Sequence, residues 1–99
     1  MAAKPKLLWS RLALADLRAI KAYVNRDQPE AAKRLAALIR AQVLRLRDHP
    51  RAGRLVPELE GSGFREVIVA PYRIVFEVRK GEVFILRIWH GRRDLSSVH

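Results

Sequence analysis

Residues 72–90 read YRIVFEVRKGEVFILRIWH, and this stretch decides the fold. From Tyr72 to Arg79 the side chains alternate, with Tyr72, Ile74, Phe76 and Val78 on one side and Arg73, Val75, Glu77 and Arg79 on the other. A period of two is that of a strand burying one face. Lys80-Gly81 marks a tight turn, and Glu82 to His90 returns as a second strand. That second strand is apolar on both faces except at its end, which places it inside the sheet rather than at an edge.

If Lys80 and Gly81 are the two turn residues, Arg79 faces Glu82 and Tyr72 faces Trp89. One face then carries Tyr72, Ile74, Phe76, Val78, Val83, Ile85, Arg87 and Trp89, and is expected to lie against helices. The other mixes Arg73, Val75, Glu77 and Arg79 with Phe84, Leu86, Ile88 and His90, which suits contact with another molecule. On this register Arg73 and His90 are diagonal neighbours, roughly 7–8 Å apart in backbone terms. A guanidinium beside an imidazole can hold a phosphate and move a proton. A histidine at a strand end is, however, more often a packing or hydrogen-bonding residue. Arg87 points into the helix-covered face and needs a partner there, for which Asp16 or Glu66 is available.

Upstream, Lys6 to Trp9 reads as a short strand and Ser10 as a helix cap. Ala13, Leu17, Ile20 and Val24 form one helical stripe over Arg11–Asn25. Asp27 and Glu30 have capping-box spacing, with Pro29 in the first turn of a second helix expected over Gln28–Asp48. Its stripe is Ala32, Leu35, Ile39, Val43 and Leu46. Lys33, Arg40 and Arg47 form a basic ridge, while Leu38 and Leu44 widen the apolar surface. Residues 51–63 hold Pro57 and three glycines, so they read as a loop with one extended piece near Leu55-Val56. Phe64 to Val69 is a third strand, ended by Ala70-Pro71. The expected class is α+β: an N-terminal strand, a helical hairpin, then an antiparallel meander packed on the helices.

Ninety-nine residues suit one domain, 1–99, with about 1–6 and 96–99 as flexible ends. Twenty Lys plus Arg against ten Asp plus Glu give a net charge of +10, which favours polyanionic or acidic partners. A well-solvated basic surface would show the same count. Cysteine is absent, which excludes disulfides and cysteine-based metal sites. The three histidines, His49, His90 and His99, lack metal-ligand spacing, and no phosphate-binding glycine loop precedes a helix. No metal or cofactor is expected. Neither a signal-peptide core nor a membrane-length apolar run is seen, so a cytoplasmic address with no membrane partner is expected.

Taken in order, WSRLALADLRAIKAYV, DQPEAAKRL, RDHPRAGRLVPEL, FREVIVAPYRIVFEV and ILRIWHGRRDL resemble a ParE protein of the RelE/ParE toxin superfamily, over about Leu8 to Leu95. The resemblance implies a type II toxin paired with a cognate acidic antitoxin that wraps it. ParE-like members inhibit DNA gyrase by protein contact, whereas RelE-like and YoeB-like members cleave mRNA on the ribosome. Arg73 in PYRIVF resembles the catalytic arginine of the YoeB-like group, His90 its C-terminal histidine and Glu58 in VPEL its general-base glutamate. The tyrosine that follows that histidine is Gly91 here, and the 51–63 loop has none of the RelE-like lysines. The expected function is therefore gyrase inhibition, leaning away from an enzyme. Arg73, Arg79, Phe84, Leu86, Ile88, Arg92 and Arg93 are the candidate partner-binding residues. The alternatives are a ribosome-dependent mRNA endonuclease using Arg73, His90 and Glu58, or a non-toxic binding module of the same fold.

Overall fold

Among the described residues, five strands and two helices follow the expected order. The computed structural model describes residues 4–91, so the readings on residues 1–3 and 92–99, Arg92 and Arg93 included, lie outside the described residues. Strand β1 (Lys6–Trp9) leads into helix α1 (Arg11–Asn25) and helix α2 (Pro29–Asp48). Strand β2 (Arg54–Leu55), a 3-10 turn (Pro57–Leu59), β3 (Arg65–Val69), β4 (Tyr72–Arg79) and β5 (Glu82–His90) follow. The sheet order is β1-β5-β4-β3-β2, so β5 is interior, as its two-sided apolar pattern requires. β1 runs parallel to β5, and the other pairs are antiparallel.

Ser10 starts α1 through its side chain, whose Oγ accepts the Ala13 N–H at 2.9 Å. Helix α2 starts differently from the capping-box expectation. Pro29 is its first residue, which makes Gln28 the cap, and no side chain caps that end. Glu30 pairs with Lys33 at 3.6 Å instead. The two helical stripes meet one sheet face and form the main core, with Ala13, Leu17, Ile39, Val43 and Leu46 packed on Ile74, Phe76, Val83, Ile85 and Ile88. Leu38 and Leu44 remain exposed.

Residue 53 shows how tightly the sheet packs beneath the loop. A Cβ added at Gly53 would lie 2.6 Å from the Glu66 carbonyl oxygen and 2.8 Å from the Phe76 ring. Neither can move freely, since one is strand backbone and the other a fully buried ring. Gly53→Ala is expected to destabilise the protein by roughly 1–3 kcal/mol, the usual range for overpacking; an unchanged urea midpoint would contradict this close approach.

The hairpin departs from the regular register at one residue. Arg79 faces Glu82 as expected, and the pairing holds down to Phe76 opposite Ile85. Val75 then pairs with Arg87, so Leu86 is an extra residue in β5, a β-bulge. Everything beyond it changes face. Ile88 packs in the helix-side core and Trp89 faces away from the helices with Val75. Tyr72 lies opposite His90 rather than Trp89, and Arg73 lies opposite Trp89. The expected juxtaposition of Arg73 and His90 is therefore corrected: they sit on opposite faces. So is the placement of Ile88 on the outward face and of Arg87 and Trp89 on the inward one.

The bulge is held by the start of α1. Ser10 N–H donates to the Ile85 carbonyl at 2.8 Å, the last bond of the parallel ladder. Its hydroxyl then donates to the Leu86 carbonyl at 2.7 Å. Six residues on, Asp16 accepts the Ile88 N–H at 2.9 Å and binds Arg87 through Nε at 2.9 Å and Nη2 at 3.1 Å. The chain thus leaves the sheet edge at Ser10 while its side chains go on satisfying the backbone of β5.

Candidate functional site on the open sheet face

The sheet face turned away from the helices carries a second, smaller apolar cluster. Val56, Val75 and Trp89 form its buried part, with Leu59, Phe64 and Leu86 packed against them. The 3-10 turn and the loop after it cover this cluster on one side only. A groove of about 550 Å³ is left between Leu12 of α1, the bulge at Leu86 and the loop residues Leu59 and Phe64. Trp89 lines it, and the Arg87 guanidinium lies 5.2 Å from the Trp89 ring centroid. The buried indole Nε1 of Trp89 has no acceptor among the described residues. Leaving such a donor unmet costs roughly 1–3 kcal/mol.

Beside the groove lies an ion-pair chain. Arg73 donates through Nε to Glu66 Oε1 at 2.6 Å, and through Nη1 and Nη2 to the Glu58 carboxylate at 2.6 and 2.8 Å. Arg54 Nε meets the other oxygen of Glu66 at 2.7 Å. Arg73 is 5% exposed and Glu66 1%. Strand geometry explains the first contact, because Glu66 opposes Val75 and Ile68 opposes Arg73, so Glu66 and Arg73 are same-face diagonal neighbours. The second contact ties the 3-10 turn to the sheet. A planar, bidentate fork is the arginine geometry that a lysine would not reproduce.

Electrostatics follow from these contacts. The hydrogen bonds from Arg73 hold the Glu58 carboxyl at about 2, below its usual 4.5, against a smaller opposing effect of burial. The two carboxylates push the Arg73 guanidinium further above its already high value. Because the folded value for Glu58 lies below the unfolded one, its stabilisation is complete above pH 4.5 and is lost as the pH falls from 4.5 towards 2. With 35% of the Glu58 side chain in water, on the order of 1–2 kcal/mol is expected in that window after screening. Urea midpoints measured from pH 6 to 2 check this: Glu58→Gln should start lower and fall less steeply.

The sequence-derived site residues divide accordingly. Arg73 and Glu58 are joined, and Glu66, which sequence reading offered only to Arg87, joins them. His90 stands on the other face, its ring edge-on to Tyr72 with centroids 5.9 Å apart. Arg79 pairs with Glu77 and stacks over Phe84 at 4.8 Å near the hairpin tip. Leu86 borders the groove, whereas Ile88 is sealed in the core.

Known proteins match over almost the whole chain. The family described as "ParE toxin of type II toxin-antitoxin system, parDE" matches residues 7–95. "Toxin RelE2" of Caulobacter vibrioides is 38% identical over 89 residues, covering 89% of this chain and 97% of the relative. "Putative toxin Y4kP" of Sinorhizobium fredii is 33% identical, covering 96% and 97%. Among solved structures, a chain of the "Chromosomal ParDE TA system from P. aeruginosa" superposes with a TM-score of 0.74 at 33% identity, covering 88% of this chain and 96% of that one. A chain of the RelBE2 toxin–antitoxin complex from Mycobacterium tuberculosis shares the fold, with a TM-score of 0.62 at 20% identity and coverage of 91% and 94%. With the helical hairpin, the mixed sheet and a family match spanning both, the chain belongs to the ParE toxin family of type II toxin–antitoxin systems, within the RelE/ParE superfamily.

Proposed function

We propose that this toxin acts in the cytoplasm by inhibiting DNA gyrase through protein–protein contact, and that a cognate acidic antitoxin neutralises it. The observation that carries the gyrase reading is the engagement of Arg73. Three of its donors are spent on Glu58 and Glu66, so the guanidinium faces carboxylates rather than a substrate phosphate. Glu58, held at about 2, is a weak proton acceptor. His90 is across the sheet from both. A phosphodiester-cleaving site needs its acid, base and cation around one point, and these three residues do not converge. The antitoxin reading draws on the net charge of +10 and on the P. aeruginosa relative, which is described as part of a ParDE system.

A second reading, ribosome-dependent mRNA cleavage, is favoured by the RelE2 name of the Caulobacter relative. Supercoiling of relaxed plasmid by purified gyrase separates the two. Gyrase inhibition is expected from the wild type and from His90→Ala alike. Normal supercoiling with a chain that arrests growth would reject the gyrase reading. Cleavage of mRNA on translating ribosomes, lost in His90→Ala, would replace it with the second.

A further inference from the structure

The helical hairpin turns one side to the sheet and the other to solvent, and the solvent side is cationic. On α1, Ala13 and Leu17 face the core, and the opposite side carries Arg11, Arg18 and Arg26, with Ala15 and Ala22 between them. On α2, Ile39 and Val43 face the core, and the opposite side carries Arg34 and Arg45, with Ala37 and Ala41 between them. All five arginines and all four alanines are exposed.

The acids of the two helices are committed elsewhere. Asp16 is bound inward to Arg87, Glu30 to Lys33 and Asp48 to Lys4. None of the five arginine side chains has an ion pair or a hydrogen bond among the described residues. A surface of one sign with no counter-charge attracts a polyanion.

The side chains between the arginines decide which polyanion. A docking protein helix needs large apolar anchors, and along both rows only alanine is offered. The hairpin's exposed leucines lie off the rows, Leu12 at the open-face groove and Leu14 and Leu44 at a hollow shared with Leu7 and Trp9 of β1. A phosphate backbone needs no anchor, and short side chains let it approach the guanidinium forks. At helical rise, Arg11, Arg18 and Arg26 are spaced by roughly 10 and 12 Å. The phosphate rows that flank the minor groove of B-DNA, roughly 6 Å wide, lie about 12 Å apart once the width of the phosphates is added. The minor groove of A-form RNA is wide and does not match this spacing.

We propose that the outward face of the α1–α2 hairpin binds duplex DNA through its phosphates, without regard to base sequence, with Arg11, Arg18, Arg26, Arg34 and Arg45 as the contacts. Release of counterions from the duplex drives the association. This binding is a property of the toxin by itself and does not rest on gyrase as its target.

The test uses the full chain alone with a short fluorescein-labelled DNA duplex of arbitrary sequence, its affinity read by anisotropy between about 50 and 200 mM salt. Five phosphate contacts predict that log affinity falls against log salt with a slope of about 4–5. Arg18→Gln, Arg26→Gln and Arg34→Gln combined should weaken binding by at least about tenfold and lower the slope by about 3. Lys6→Gln, Arg51→Gln and Lys80→Gln combined remove the same charge from exposed positions off the hairpin's outward face. That variant should stay within about threefold of the wild type, with the slope unchanged. Equal losses in the two variants overturn the proposal, because net charge alone would then account for binding. A wild-type slope below about 2 overturns it without recourse to any variant. So does tighter binding to an RNA duplex of the same length, or binding to phosphatidylserine vesicles with none to DNA.

Discussion

Arg73→Ala is expected to lower the unfolding free energy by about 3–5 kcal/mol, the usual cost of breaking a buried ion pair by removing one partner. The Glu66 side chain is fully buried, and its remaining cation would be Arg54, which is 62% exposed. Arg73 also holds the Glu58 fork, so its loss releases the 3-10 turn and opens Val56 and Trp89 to water. Against a total of roughly 5–15 kcal/mol for a domain, this is a large fraction. Thermal unfolding should shift down by well over about 10 °C. Arg73→Lys should fall between, because one ammonium cannot reproduce three contacts in a plane. The double substitution Arg73→Leu with Glu66→Leu should recover much of the loss, since no charge is left buried. A change within about 0.5 kcal/mol for Arg73→Ala would falsify the network as a stabilising element. This matters for reading toxicity assays: an inactive Arg73 variant says nothing of catalysis until its melting curve is known.

What the sequence made legible was periodicity. The stripes through Ala13 and Leu17, and through Ile39, Val43 and Leu46, announce the helices because their side chains meet one core. The apolar run from Val83 to Trp89 announces an interior strand. The site was less legible, because it depends on one inserted residue. Nothing in Ile85-Leu86-Arg87-Ile88 spells a bulge. The signal was indirect: a regular register drove Arg87 into the core and left Ile88 outside it. A bulge removes both conflicts, so a charge forced inward by strict alternation marks where the alternation breaks. The link between Arg73 and Glu66 was accessible once β3 and β4 were paired through the Ala70-Pro71 turn. The Glu58 fork was not, because it bridges fifteen residues and depends on the 3-10 turn within what reads as loop.

Asp16→Ala is the corresponding test on the other side of the groove, with an expected loss of about 2–4 kcal/mol. The Asp16 side chain is 15% exposed and that of Arg87 21%. Its carboxylate accepts three hydrogen bonds, two from Arg87 and one from the Ile88 N–H. That N–H sits just past the point where β1 stops pairing with β5. Removing Asp16 therefore strands a backbone donor and a half-buried guanidinium together, and either alone is costly. Asp16→Asn keeps one acceptor oxygen without the charge, so it should lose roughly half as much. Hydrogen exchange separates this account from a general loss of helix α1. The Ile88 amide should exchange much faster in Asp16→Ala, while amides at the centre of α1 change only with global stability. If the Ile88 amide keeps its protection, Asp16 is not what holds the strand beyond the bulge. The placement of Arg87 and Trp89 along the groove would then need another anchor, for which Ser10, through its bond to the Leu86 carbonyl, is the next residue to test.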